Sequence, residues 1–139
     1  MIFLPTLAAL VSTYQAFNRY ASEDIKQFEL TMTQFDLIAT LGNQPAMTFK
    51  ELGEKTLVTK GTLTGVVERL VAKGLLETRC NPHDARSQLV GLTTEGERLF
   101  DVIFPNHLSH LEKAFAQLSE AELAQLTQLL LKFKHSFQS

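Results

Sequence analysis

Four segments of this chain open with a threonine or serine three residues ahead of a glutamine or glutamate and then run on into apolar residues: Thr31 with Gln34, Thr48 with Glu51, Thr94 with Glu97, and Ser119 with Glu122. In such a box the hydroxyl accepts from a backbone amide of the first turn, while the longer side chain reaches back to the capping residue's own amide. Apolar residues follow each box at helical spacing, so the chain must fold as short helices with marked starts. The spacing predicts a helix over 32–41 with Phe35, Ile38 and Leu41 inward, stopped by Gly42. It predicts a short helix near 49–56 that buries Phe49 and Leu52. Thr59 opens another helix, with Leu63, Val66, Val67, Leu70 and Val71 as its apolar positions and Gly74 as its stop. The Thr94 helix carries Leu99, Phe100, Ile103 and Phe104, and Pro105 should bend it or end its first half. The last helix places Leu123, Leu126, Leu130 and Phe133 on one stripe. Ahead of all these, residues 6–22 read as a helix.

The helical period breaks once. Leu75–Cys80 and Gln88–Thr93 are short strand candidates, separated by the polar run Asn81–Ser87, which suggests a hairpin with a long loop. Two short helices, a tight turn and then strand–loop–strand is the order of a winged helix-turn-helix. The expected fold is mainly α with a small β-hairpin wing, plus N- and C-terminal helices.

Composition narrows the function. A chain of 139 residues with 45% hydrophobic and 20% charged residues suits one globular domain with helical extensions. One cysteine leaves no internal disulfide and too few thiols for a cysteine-rich zinc site. No apolar run reaches the roughly 20 residues of a membrane-spanning helix. Met1–Val11 is apolar, but the first basic residue is Arg19, so the expectation is a packing helix rather than a signal peptide, in a cytoplasmic protein. The net charge is −2, yet residues 48–87 carry +2 and the flanks −4. A basic centre between acidic flanks suits a chain whose middle meets phosphate. No Ser/His/Asp order, phosphate-cradling glycine loop or carboxylate cluster supports an enzyme.

With Leu63 placed inward on a helical wheel, Gly61, Gly65, Glu68 and Ala72 fall on the opposite side, and Thr62, Thr64 and Arg69 on the flanks. Each exposed helical glycine costs roughly 1 kcal/mol relative to alanine. Two readings fit this face. It is a plain amphipathic helix with tolerated glycines, or a helix thinned so that its backbone comes close to a groove. In the second reading Thr62 and Thr64 donate to phosphate or base edges, and the amides after Thr59 face a phosphate. Asp84-Ala85-Arg86 is equally two-sided. It is a surface ion pair worth ~0–1 kcal/mol, or a carboxylate aiming a guanidinium from a hairpin tip into a narrow minor groove.

The run Leu75–Gly96 (LLETRCNPHDARSQLVGLTTEG) resembles the wing signature of MarR-type regulators: an arginine ending the first strand, D-x-R in the loop, then L-T-x-x-G. Glu51–Gly74 is similar to their helix-turn-helix, Thr31–Leu41 to the helix before it, and Leu118–Lys132 to their C-terminal dimerisation helix. The resemblance implies a winged domain over 30–96 and a helical dimerisation region over 1–29 and 97–139. It implies a homodimeric, sequence-specific repressor on a pseudo-palindromic operator of double-stranded DNA, with no cofactor. Thr59, Lys60, Gly61, Thr62, Thr64, Gly65 and Arg69 then fall on the recognition helix, and Arg79, Asp84 and Arg86 on the wing. The chain departs from many family wings in carrying Cys80, His83 and Ala85 where further basic residues stand. The apolar residues Leu4, Leu7, Leu10, Leu126, Leu129, Leu130, Phe133 and Phe137 independently exceed what two terminal helices easily hide in one small monomer.

Such regulators are often released from DNA by small phenolic or aromatic acids, by thiol oxidation or by metal. Tyr14, Asn18, Tyr20 and His107 are the groups that could line a ligand cleft, although each also suits a structural role. Cys80 beside Arg79 is a weak thiol-sensor candidate. His107 and His110 at i, i+3 form a metal pair without an evident third ligand. The competing functions are a winged-helix module that binds protein instead of DNA, and a thiol or metal sensor of the same fold.

Overall fold

The structure, a computed structural model, describes residues 1–138. Six helices and three strands follow in the order α1 (Leu4–Ile25), α2 (Met32–Leu41), β1 (Met47–Thr48), α3 (Phe49–Lys55), α4 (Lys60–Ala72), β2 (Leu76–Asn81), β3 (Asp84–Leu92), α5 (Thr94–Phe115) and α6 (Glu120–Ser136). By its internal contacts the chain divides into two compact units, Met1–His107 and the part from Leu108 onward.

Three of the four expected boxes form with both of their hydrogen bonds, at Thr31, Thr48 and Ser119. Helix α2 has the predicted bounds. Helix α1 is longer than predicted at both ends. Pro5 sits in its first turn, where a fixed φ and a missing N–H cost nothing. At its far end a 3-10 turn over Lys26–Phe28 closes on Glu29 at φ 58°.

The fourth box is displaced by one residue. Thr93, not Thr94, caps α5: its Oγ1 accepts from the Gly96 amide at 3.0 Å. Pro105 does not end α5, which runs through it to Phe115. The Asn106 side-chain amide donates to the Val102 carbonyl at 2.7 Å, beside the proline. Gly42 stops α2 for a reason other than backbone freedom. Its φ is −61°, and a Cβ there would lie 2.2 Å from the Phe100 ring. Gly74 does use the left-handed region, at φ +76°. The Gly74 and Leu75 amides then return to the Val71 and Leu70 carbonyls, ending α4 in the expected way.

The sheet is antiparallel with strand order β1-β3-β2. β1 was not foreseen, because two residues carry no readable period. The predicted long loop is also corrected. β2 runs to Asn81 and β3 starts at Asp84, so only Pro82 and His83 cross over, with an irregularity after Cys80. Polar side chains complete this end. Asn81 accepts from the His83 amide and donates to Ser87 Oγ, both at 3.0 Å. Both faces are wet here, so no apolar alternation marked the hairpin ends of the two strands.

The core of the first unit joins α2, α3, α4, α5 and the sheet through Leu37, Ile38, Leu52, Leu70, Leu76, Val90 and Ile103, all essentially inaccessible. Val71, expected to be inward, is 40% exposed. In the second unit no residue of α6 is buried, and Leu126, Leu129, Leu130, Leu131 and Phe137 are exposed. No helix among the described residues is long and apolar enough to cross a membrane.

Candidate nucleic-acid interface

Helix α4 buries Leu63, Val66, Val67 and Leu70 against the core and turns the rest of its surface outward. Thr59, Lys60, Gly61, Thr62, Thr64, Gly65 and Arg69 are all exposed. Thr59 occupies the N-cap position with extended backbone, but its hydroxyl does not cap. It donates instead to Thr62 Oγ1 at 3.0 Å, while its carbonyl accepts from the Thr62 and Leu63 amides. The opening amides of α4 are therefore left for an external acceptor.

The two glycines of this face have no internal purpose. A Cβ built on Gly61 or on Gly65 meets no atom within 4 Å, and neither residue has positive φ. Packing within the chain therefore does not require them, unlike Gly42 and Gly96.

The wing stands beside this helix through Thr93. Its Oγ1 donates to the Gly74 carbonyl at 2.7 Å, its amide donates to the Leu75 carbonyl at 3.0 Å, and Oγ1 also caps α5. One side chain thus ties together the end of α4, the end of the wing and the start of the next helix. Gly96 completes the joint, since a Cβ there would lie 2.1 Å from the Leu75 carbonyl oxygen. The threonine and glycine of the L-T-x-x-G motif therefore lock the wing to α4.

On the wing, Asp84 Oδ1 accepts from the Arg86 backbone amide at 3.0 Å and lies 3.3 Å from Arg86 Nε. Asp84 thus holds the root and the neck of the arginine, as its position two residues away suggested. The Arg86 side chain is 94% exposed. Arg86 is on β3 and not at the hairpin tip, which Pro82 and His83 form. An open groove of about 930 Å³ runs between wing and helix. It gathers Lys60, Thr64, Asp84 and Arg86 of the predicted residues, and adds Lys50, Asn81, Ser87 and Gln88. Lys50 lies inside the Thr48–Glu51 box, where the helical wheel of α3 would have placed it outward. Asn81 and Ser87 gave no comparable signal, because they were read as loop, and Gln88 opened a strand candidate with no motif to mark it. Arg79 is exposed but lines a different hollow, with Gln44, Glu77, Leu89 and Glu97. Cys80 is exposed.

A second hollow lies in the same unit. Tyr14, Phe17, Asn18, Arg19 and Ser22 of α1 face Thr33, Phe35 and Asp36 of α2, with Leu57, Val58 and His107, around a cleft of about 640 Å³. It includes three of the four predicted liners and omits Tyr20. His107 is 6% exposed. Its Nδ1 lies 3.0 and 3.2 Å from the Asp24 carboxylate oxygens, and its ring packs on Phe35 at 4.5 Å between centroids. Among the described residues no group of three or more His, Cys, Asp and Glu side chains could hold a metal ion.

The MarR family profile matches residues 30–88. An HTH-type transcriptional regulator of Bacillus cereus is 31% identical over 121 residues, covering 86% of this chain and 80% of its own. The structure is similar to that of a mutant MarR of Escherichia coli complexed with operator DNA (TM-score 0.77, 30% identity, 94% of each chain). It is also similar to BpsR of Bordetella bronchiseptica, whose DNA binding is regulated by 6-hydroxynicotinic acid (TM-score 0.85, 28% identity, 96% of each chain). The groove, the locked wing and these likenesses agree: this chain belongs to the MarR family of transcriptional regulators.

Proposed function

We propose that this regulator is a cytoplasmic homodimer that represses transcription by laying α4 of each subunit in successive major grooves of a pseudo-palindromic operator. The observation that carries this reading is the outer face of α4. It is exposed, carries Lys60, Gly61, Thr62, Thr64, Gly65 and Arg69 with Glu68 and Ala72 toward its far end, and its two glycines are explained by nothing inside the chain. A helix without Cβ atoms on its outer face lets the backbone come close to a groove, while Thr62 and Thr64 offer donors and methyls. Arg86, held by Asp84, then reaches the adjacent minor groove, and Lys50 and Lys60 face phosphate between them. The winged domain covers 30–96, and the flanking helices over 1–29 and 97–139 pair the subunits.

Pairing is supported by what the terminal helices expose. Leu4, Leu7, Leu10 and Val11 of α1 are at least 39% accessible. Helices in proteins gain most of their stability by packing an apolar face on another surface, and no residue of α6 is buried. A second subunit supplies that surface, and a two-fold axis sets the α4 helices ~34 Å apart, one turn of DNA.

The cleft fits a small aromatic acid. Phe17, Tyr14 and Phe35 can sandwich a ring, and Arg19 can pair with its carboxylate. BpsR responds to such a compound. Titration with duplex DNA at several salt concentrations tests the central reading. A regulator of this kind loses affinity linearly in the logarithm of salt and still prefers one duplex. Binding with no preference for any duplex, at any salt, refutes it.

A further inference from the structure

Asp36 stands on α2 in the wall of the cleft. Its Oδ2 accepts a hydrogen bond of 2.8 Å from the backbone N–H of Leu57. Leu57 belongs to the turn between α3 and α4, two residues before Thr59. Its own side chain is 73% exposed and anchors nothing, whereas the next residue, Val58, is 5% exposed. The turn that starts α4 thus buries one valine in the core and is tied to α2 by one carboxylate. Thr59 adds no side-chain cap, because its hydroxyl is bonded to Thr62. Asp36, Leu57 and Val58 all border the cleft, so one carboxylate faces both the cleft and the amide that precedes α4.

We propose that Asp36 is a positioning residue through which the content of the cleft acts on the recognition helix. Without a ligand its carboxylate holds Leu57 and sets the N-terminal end of α4, which presents Thr59 to Thr62. An aromatic acid that also carries a hydroxyl donates that hydroxyl to Asp36, draws the carboxylate toward the cleft and frees the turn. A ligand shifts such an equilibrium only by its preference for one setting, and this hydrogen bond provides the preference. The proposal rests on the reading of the chain as an operator-binding regulator, and the experiment separates the two.

Operator affinity is measured by fluorescence anisotropy for the full chain, Asp36→Ala and Asp36→Asn, with and without millimolar 4-hydroxybenzoate. Asp36→Ala is expected to bind about tenfold more weakly, the size of one hydrogen bond to a charged acceptor, with an unchanged salt slope and dimer. Asp36→Asn keeps an oxygen that can accept from the Leu57 amide and should restore most of the affinity. 4-Hydroxybenzoate should weaken the wild type more than benzoate does, and Asp36→Ala should lose that difference. If Asp36→Ala fails to fold, amide exchange at Leu57 in the wild type decides the matter: protection supports the bond and free exchange overturns it. Equal affinity of wild type and Asp36→Ala, or equal weakening in both variants, overturns the positioning role. No difference between the two acids on the wild type overturns the link to the cleft. A wild type that prefers no duplex refutes the regulator reading itself.

Discussion

Replacing Gly61 and Gly65 by alanine should move stability and DNA affinity in opposite directions. Neither new methyl meets an atom within 4 Å, and neither site has positive φ, so no strain opposes the change. Alanine is favoured over glycine in a helix by about 1 kcal/mol, so each substitution should stabilise the folded protein by about that amount. Denaturant melting reads this as a later midpoint at an unchanged slope. The bound state should respond the other way. If the backbone of α4 lies against the groove, a methyl must fit where the surfaces already touch. Forcing one carbon into a packed contact costs about 1–3 kcal/mol, or roughly 5- to 150-fold in affinity. Anisotropy titration of each variant at one fixed salt concentration measures it. A variant that is more stable and binds its operator as tightly as the wild type would show that the glycines serve no close approach.

Other perturbations test the remaining parts of the interface. Arg86→Ala should leave the fold intact, because its side chain is 94% exposed, and should weaken operator binding with a salt slope smaller by about 1. Thr93→Val removes both the bond to the Gly74 carbonyl and the cap of α5; the loss should be about 2 kcal/mol in a urea melt, and Thr93→Ser should recover most of it. Glu122 accepts from the Ser119 amide in its capping box, and hydrogen bonds from the Ser119 backbone and side chain lower its pKa below the ordinary 4.5. A carboxyl depressed on folding stabilises the helix above its unfolded pKa and loses that effect as pH falls through the lower folded value. Circular dichroism should therefore show α6 losing its start below about pH 4.5, and Glu122→Gln should flatten that dependence.

Much of this was legible because caps are local. Thr31, Thr48 and Ser119 form their boxes from residues three apart, so their geometry needs no tertiary information. Thr93 was misread for the opposite reason. Its neighbour Thr94 has a glutamate in the right place, but the choice between them is made by the Gly74 carbonyl, 19 residues earlier. Gly42 was legible as a stop and not as the seat of the Phe100 ring, a contact 58 residues away in the chain. The exposed face of α4 followed from its period, since burial of Leu63, Val66, Val67 and Leu70 leaves the other residues nowhere else to point. The wing strands were legible at Leu75–Cys80 and Gln88–Thr93, but not the start of β3 at Asp84, because Asp84, Ala85 and Arg86 keep their side chains wet and show no apolar alternation. Asp36 carried no signal at all: a lone aspartate on an amphipathic helix reads as solvated until the turn at Leu57 is placed beside it.

The most direct measurement is selection of duplexes from a random pool by the protein, followed by sequencing of what it retains. Two copies of α4 on a shared two-fold axis should enrich an inverted repeat with half-site centres about 10 base pairs apart. Retention of unrelated sequences, or of one half-site without its inverted partner, would contradict the account.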